Sequence, residues 1–350
     1  MNTKPSNQVW LIIDSFTFGG IETHLLELAN GLKQHQVEVK VWLIRHYESD
    51  SQLATKLNQA EINVEYLDQT DKHYIPYLLE QIKSQSPALI HAHGYKASLV
   101  CKLARVLTGI RQISTYHAGE TPSGRVWLYD FIDRYSAFIS SYSIAVSEKI
   151  ATKLPVQSTC FNNFIDDRNL EPSRGTAIAF VGRLSEEKAP DRILELAQLN
   201  SALNFEIYGS GPMAEQLQNA ALTNVTFHGH QTNMNAIWSN IGLLIICSRY
   251  EGLPMTALEA MGRGIPVLAL NVGNLSRLIV NHDNGFLADS MAQLNEALTE
   301  FTTLNNEQLL AMQTSAIKTI KHSFSSKAVI PQLLQLYFPS RYQSDFQIEK

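Results

Sequence analysis

The chain has 350 residues, 45% of them apolar and 17% charged, with a formal net charge of −5. That length exceeds the size at which single cores usually stop growing, so two domains are expected. The composition is that of an ordinary globular protein, and the acidic balance argues against bulk nucleic-acid binding.

Residues 1–8 are polar, and the apolar run 9–13 is too short for a signal h-region or a membrane span; a cytoplasmic location is expected. Three widely spaced cysteines, Cys101, Cys160 and Cys247, form no metal pattern and cannot all pair, which fits a reducing compartment. From residue 9 onward, short apolar strands alternate with amphipathic helices, the pattern of parallel α/β sheets. Strands are expected at 9–13, 37–44, 62–67, 88–91, 112–116 and 143–146. Ile21, Leu25, Leu28, Ala29 and Leu32 recur at helical spacing, as does the stretch 75–82. The aromatic stretch 124–138 carries Arg125, Trp127, Tyr129, Phe131, Arg134, Tyr135 and Phe138. Trp127, Phe131 and Tyr135 fit a buried stripe, and Asp130 and Asp133 weaken a basic face, so core packing is expected, with peripheral membrane contact as the alternative.

Polar residues 162–175, with Pro172 and Gly175, read as an inter-domain linker. A second strand series follows at 177–181, 205–208, 225–227, 243–247 and 267–270. The final segment, 326–338, places Val329, Leu333, Leu336 and Tyr337 at helical spacing. Two doubly wound domains in tandem are therefore expected, with a ligand outside the carboxyl ends of the strands.

The densest chemistry lies in 248–264, Ser-Arg-Tyr-Glu-Gly-Leu-Pro-Met-Thr-Ala-Leu-Glu-Ala-Met-Gly-Arg-Gly. Glu251 sits in a loop with Gly252 and Pro254, and Glu259 follows after seven residues. Pro254 suits a first helical position, where its missing N–H would be unpaired anyway. Ala257, Leu258 and Met261 continue a helical stripe. Side chains on a helix lean toward its N-terminus, so Glu259 projects back toward the end that Glu251 guards. That end offers N–H groups and a partial positive charge to a phosphate. Two carboxylates beside an anion seat suit a ligand with hydroxyls and a diphosphate, such as a nucleotide sugar.

This segment resembles the signature of retaining GT-B glycosyltransferases, specifically glycosyltransferase family four, in which one Glu is followed after seven residues by another. The resemblance implies that Glu259 holds the nucleotide ribose and Glu251 the donor sugar, with Leu253, Pro254, Met255 and Thr256 meeting the donor at the helix start. Gly19 and Gly20, between the first strand and first helix, let the backbone approach a phosphate and match the family loop that meets donor phosphate and acceptor. Gly182, Arg183 and Lys188 occupy the equivalent turn of the second domain. The family carries Arg and Lys at this spacing, so Arg183 and Lys188 are implied to stabilise the departing diphosphate. The usual glycine after that lysine is replaced by Ala189-Pro190. Gly209 and Gly211, in Tyr208-Gly-Ser-Gly-Pro212, resemble the family turn that opens space for base or ribose, and Gly229 the position whose backbone meets the base edge. His117 matches the histidine placed against the donor sugar, near the reacting centre. His91 and His93 resemble the preceding strand, while His228 and His230 read as loop histidines.

There is no Asp-x-Asp motif, and the pair His91 and His93 suggests no third ligand, so neither metal nor cofactor is expected. The resemblance implies an α/β, GT-B fold: two Rossmann-like doubly wound domains facing across a cleft, with a C-terminal helix crossing back to the first. Residues 1–165 would bind acceptor, 166–325 nucleotide sugar, and 326–350 would form the returning helix and tail. It further implies a retaining, metal-independent transfer from a UDP- or GDP-linked sugar to a hydroxyl of a glycan. By family habit the acceptor is lipid-linked, as in bacterial surface-polysaccharide assembly. The rivals are a GT-B-fold epimerase or phosphorylase and a non-catalytic nucleotide-sugar-binding subunit; the intact glutamate pair argues against the last.

Overall fold

The computed structural model describes residues 7–16, 18–47, 51–68, 73–117 and 124–342, with the side chains of 124–126 and 342 outside the described set. The chain divides into two compact units: Met1–Asn163 with Ser326–Lys350, and Phe164–Ser325.

The first unit is a seven-stranded parallel sheet in the order β3-β2-β1-β4-β5-β6-β7. Its elements run β1 (Gln8–Ile13), α1 (Gly20–Gln34), β2 (Glu38–Leu43), α2 (Gln52–Gln59), β3 (Asn63–Tyr66), α3 (Tyr74–Gln85) and β4 (Leu89–His93). They continue through α4 (Tyr95–Thr108), β5 (Gln112–Tyr116), α5 (Gly124–Tyr135), β6 (Tyr142–Ala145), α6 (Glu148–Ala151) and β7 (Thr159–Cys160). Parallel strands covered on both faces read as apolar runs, and Val9 to Ile13 are buried accordingly. The α1 stripe packs as its spacing requires, with Leu25, Leu28, Ala29 and Leu32 fully buried.

The second unit repeats the winding in six parallel strands, ordered β10-β9-β8-β11-β12-β13. It comprises β8 (Ala177–Val181), α7 (Asp191–Leu199), β9 (Phe205–Tyr208), α8 (Ala214–Asn219), β10 (Val225–Gly229), α9 (Met234–Trp238) and β11 (Ile241–Ile246). Then come α10 (Met255–Gly262), β12 (Val267–Leu270), α11 (Leu275–Leu278), β13 (Gly285–Ala288), α12 (Met291–Thr303) and α13 (Asn306–Thr319). Strands β7, of two residues, and β13, of four, lie outside the sequence expectations. The polar stretch 162–175 is not a loose connector, because Phe164 and Ile165 inside it are buried and Ile165 pairs with Ser325. Its far end is fixed as well, with the Ser173 hydroxyl donating to the Ile241 carbonyl at 2.6 Å.

The last helices, α14 (Ser326–Tyr337) and α15 (Pro339–Tyr342), belong to the first unit. Ile330 closes on α1 at Gly31, where a Cβ would come within 2.7 Å of its side chain. Arg111 donates to the carbonyls of Leu336 and Tyr337 at 2.5 and 2.6 Å, satisfying acceptors that a helix end leaves unpaired. Among the described residues no helix is long and apolar enough to cross a membrane.

Helix α5 corrects the core-packing expectation. Trp127, Phe131 and Tyr135 are 44%, 40% and 59% exposed, whereas Asp130 and Asp133 are buried. The physical reason is Lys102 of α4, itself buried, whose Nζ donates to Asp133 Oδ1 at 2.6 Å and to the Asp133 carbonyl at 2.5 Å. Burial pushes the Asp133 carboxyl up and the Lys102 ammonium down, and their mutual attraction opposes both shifts. Removing one partner of a buried pair strands the other, so Lys102→Met is expected to lower unfolding free energy by about 3–5 kcal/mol. Urea unfolding of the purified variant checks this; a loss within the error of wild type would mean the pair does not orient α5.

Candidate functional site

In an open parallel sheet, ligands gather at the carboxyl ends where the strand order reverses. In the second unit that point lies between β8 and β11, which pair directly. The loop after β8 carries Gly182, Arg183 and Lys188, and the loop after β11 carries Glu251. The sheet thus brings together two segments about sixty residues apart in sequence, roughly as the general rule anticipates.

At their meeting Lys188 Nζ donates to both Glu251 oxygens at 2.7 Å, and the Ser248 hydroxyl donates to Glu251 Oε1 at 2.7 Å. The Glu251 side chain is only 6% exposed and that of Lys188 31%. Arg183 is exposed, earlier in the loop that carries Lys188. Arg249 locks the two loops, donating its backbone N–H to the Glu187 carbonyl at 2.8 Å and its guanidinium bidentately to Asp191. That pairing holds the Asp191 carboxyl below its usual range. Ala189 takes a left-handed φ of 52°, fully buried. The site therefore keeps the backbone shape that a glycine favours, with the strain carried by alanine.

Helix α10 begins at Met255 with Pro254 as its N-cap, one residue later than the sequence spacing placed it. Proline at ψ 130° is extended and not yet helical. Leu253 and Met255 are buried in the core, which leaves only their backbone available to a ligand, while Thr256 is half-buried. Glu259 accepts from the buried Trp238 indole Nε1 at 3.1 Å. The two glutamates are thus held by different partners.

The glycine turns support the same strand ends. Gly209 has φ 143°, and a Cβ on it would lie 1.8 Å from the Gly182 carbonyl oxygen. Its N–H donates to the Gly229 carbonyl at 2.9 Å. Gly211 abuts Leu184, so the turns after β8, β9 and β10 are joined backbone to backbone. Three participants escaped the sequence reading: Ser248, Trp238 and Gly273. A Cβ on Gly273 would stand 2.3 Å from the Glu251 carbonyl oxygen, and Asn274 N–H donates to the Gly252 carbonyl at 2.7 Å. The Asn-Val-Gly-Asn turn after β12 was the available signal for it. His228 stacks on Tyr208 and contacts Glu206.

The first unit presents a second cluster at its own reversal, between β1 and β4. Gly19 caps α1 and Gly20 opens it, but the Gly19 N–H already donates to Glu22 Oε2 at 2.9 Å. Burial raises the Glu22 carboxyl above its ordinary range. His91 bonds Tyr337 and Thr115. His93 Nδ1 lies 3.1 Å from His117 Nε2, and His24 of α1 completes a trio whose ligand atoms all fall within 4.8 Å. The sequence pairs His91 with His93 and suggests no third ligand; the structure instead groups His93 with His24 and His117, which the helical position of His24 did not hint at, and leaves His91 on Tyr337 and Thr115. Three neutral imidazoles are a donor set a zinc-like ion accepts, although the 3.1 Å separation is that of a hydrogen bond.

Burial drives His24 down to about 4 and His91 to about 3, with His93 and His117 also well below the ordinary value of 6.5. Folded, these rings refuse protons that the unfolded chain accepts. Stability should therefore fall as pH drops from about 6.5 toward about 4, by about 1.4 kcal/mol per pH unit for each such histidine. Chemical unfolding across that range measures the slope, and His24→Gln should make it shallower. The turns give a second expectation: Gly209→Ala should cost about 2–4 kcal/mol and weaken any ligand bound at the β8 end, as differential scanning and titration calorimetry would record.

Residues 161–319 match the family profile described as "Glycosyl transferases group 1", and residues 18–155 match "Glycosyltransferase Family 4". Among curated relatives, the chain is 25% identical over 296 residues to a protein of Campylobacter jejuni. That relative is named GalNAc-alpha-(1->4)-GalNAc-alpha-(1->3)-diNAcBac-PP-undecaprenol alpha-1,4-N-acetyl-D-galactosaminyltransferase; the match covers 73% of this chain and 76% of the relative. It is also 25% identical over 305 residues to the Escherichia coli O-antigen biosynthesis glycosyltransferase WbnH, covering 81% of this chain and 86% of WbnH. Among solved structures, Anabaena HepE in complex with UDP-glucose superposes with a TM-score of 0.80 at 18% identity, covering 94% of this chain and 98% of that one.

Proposed function

The chain belongs to glycosyltransferase family 4 and has the GT-B fold, and from that premise we propose that it moves a sugar, with retention, from a nucleoside-diphosphate donor to a hydroxyl of a lipid-linked glycan. The observation that carries the reading is the Lys188–Glu251 pair, at the strand-order reversal of the second unit and in the loop that leads into α10, with Arg183 exposed in the same loop as Lys188. In this reading 166–325 takes the donor and 1–165 the acceptor.

The diphosphate draws Lys188 and Arg183 to its oxygens, and the released Glu251 carboxylate accepts from the sugar hydroxyls. Glu259 takes the ribose hydroxyls, and the N–H groups of Met255 and Thr256 at the start of α10 face the phosphates. The bond from the anomeric carbon to phosphate oxygen breaks with its electron pair going to the diphosphate. The acceptor hydroxyl attacks from the same face, and its proton passes to the leaving phosphate oxygen. Fixed cations and a helix end then supply the charge stabilisation that a divalent ion gives elsewhere. His117 orients a sugar hydroxyl, and its depressed affinity for protons keeps it a neutral hydrogen-bonding ring.

The names of the Campylobacter and Escherichia relatives, one with a PP-undecaprenol portion and the other with O-antigen biosynthesis, support a lipid-linked acceptor in surface-polysaccharide assembly. The donor is UDP- or GDP-linked. A panel of both, scored by thermal shift and by release of nucleoside diphosphate, tests the donor side. Lys188→Ala and Glu251→Ala are each expected to lower turnover by about 10²–10³. Glu251→Ala leaves a partly exposed lysine that water can solvate, so its unfolding midpoint should move by only a few degrees, about what 1 kcal/mol produces in domains of this size. Lys188→Ala strands an enclosed carboxylate and should cost more, about 3 kcal/mol. Near-wild-type transfer by both variants would end this assignment.

A further inference from the structure

Helix α5 is inverted for a surface helix, which normally turns its apolar side inward. Its carboxylates Asp130 and Asp133 are 6% and 4% exposed and are held by Arg134 and Lys102. Its outward side carries Trp127, Leu128, Phe131, Ile132 and Tyr135, each between 40% and 59% exposed. Leu103, Val106 and Leu107 on the adjoining α4, and Phe138 in the turn after α5, extend the same surface.

Eleven of the sixteen exposed large apolar side chains among the described residues fall between Leu103 and Tyr142, and Trp127, Phe131 and Tyr135 touch ring to ring, so they concentrate here. Six of the eleven are aromatic, about half exposed, with on the order of 200 Å² each. They alone present on the order of 600 Å², as much as the largest patch on a typical monomer.

The charge around the patch selects its occupant. Residues 95–142 hold six cations (Lys96, Lys102, Arg105, Arg111, Arg125, Arg134) against three carboxylates (Glu120, Asp130, Asp133); with Lys96 neutralised by Asp14, the local balance is +2 in a chain of −5. Neither α4 nor 136–142 contains a carboxylate, and those of α5 are withdrawn beneath it. Among the described residues, these outward faces carry no carboxylate to repel a phosphate headgroup. We propose that the α4–α5 face docks on an anionic lipid bilayer, with its aromatic and aliphatic side chains at the headgroup level. Tryptophan and tyrosine favour that boundary, where one end of the ring is dry and the other wet. The side chains lie on the bilayer and do not cross it. The docking stands on this surface and not on the transfer reaction.

Tryptophan fluorescence reads the contact directly. Trp10, Trp42 and Trp238 are fully buried, leaving Trp127 as the exposed one of four. Vesicles of phosphatidylethanolamine with phosphatidylglycerol should float the full-length protein and shift its emission to the blue, more strongly than phosphatidylcholine vesicles do. Trp127→Phe should erase the shift and keep flotation. Leu128→Ser with Phe131→Ser and Tyr135→Ser should lower partitioning by about tenfold or more, with donor-dependent release of nucleoside diphosphate unchanged. Should that triple variant unfold, Val106→Ser with Leu107→Ser on α4 carries the same expectation.

The inference is overturned if wild type fails to float with anionic vesicles, or if the folded variants float as wild type does. It is equally overturned if phosphatidylcholine serves as well. Self-association in sedimentation velocity that the variants abolish, without vesicle binding, would instead assign the face to a second copy of this chain. Wild-type protein that releases nucleoside diphosphate but does not bind anionic vesicles sinks the docking alone; wild-type protein that binds them but transfers no sugar sinks the proposed function alone.

Discussion

Everything at the second unit's strand ends is organised around a carboxylate that water scarcely reaches. Glu251 is surrounded by three donor contacts, two from Lys188 and one from Ser248. A charge so enclosed needs its partners in place, or desolvation expels it. The partners come from loops that only the lateral pairing of β8 with β11 makes neighbours. Arg249 and Arg192 then tie those loops together, Arg192 through the Cys247 carbonyl. The sheet's winding is thus not a backdrop to the chemistry; it decides which residues meet.

Legibility in the sequence tracked how local the cause was. Strands of five or six apolar residues, the α1 stripe and the α14 spacing were readable because period and burial agree within one element. The Lys188 and Glu251 loops and the glycine turns were readable as motifs, each confined to one short segment. Partners contributed across the fold were not. Trp238 reaches Glu259 from α9, and Gly273 supports the Glu251 loop from beyond β12, contacts that no single-segment pattern encodes.

The histidines and α5 show a second kind of failure, in which a side chain's character misled. His24 sits on the buried face of α1 among leucines, and its approach to His93 and His117 arises only when β1, β4 and β5 lie side by side. In α5 the acids suggested the solvent face and the aromatics the core. Lys102, one helix away, reversed both assignments by offering Asp133 a partner inside. A buried cation can rotate a helix against its own hydrophobic pattern, because an unpaired buried charge costs more than several exposed rings.

The first unit is built from two stretches that the whole second unit separates. Its core contacts include Ile330 against Gly31 and Tyr337 against His91, and Thr115 ties that histidine to β5. During synthesis, then, the amino-terminal sheet emerges long before the helix that seals it, while the inserted lobe is finished earlier. The order of folding should invert the order of translation: the later-made lobe matures first, and the earlier-made one waits unsealed for its final helix to clear the ribosome.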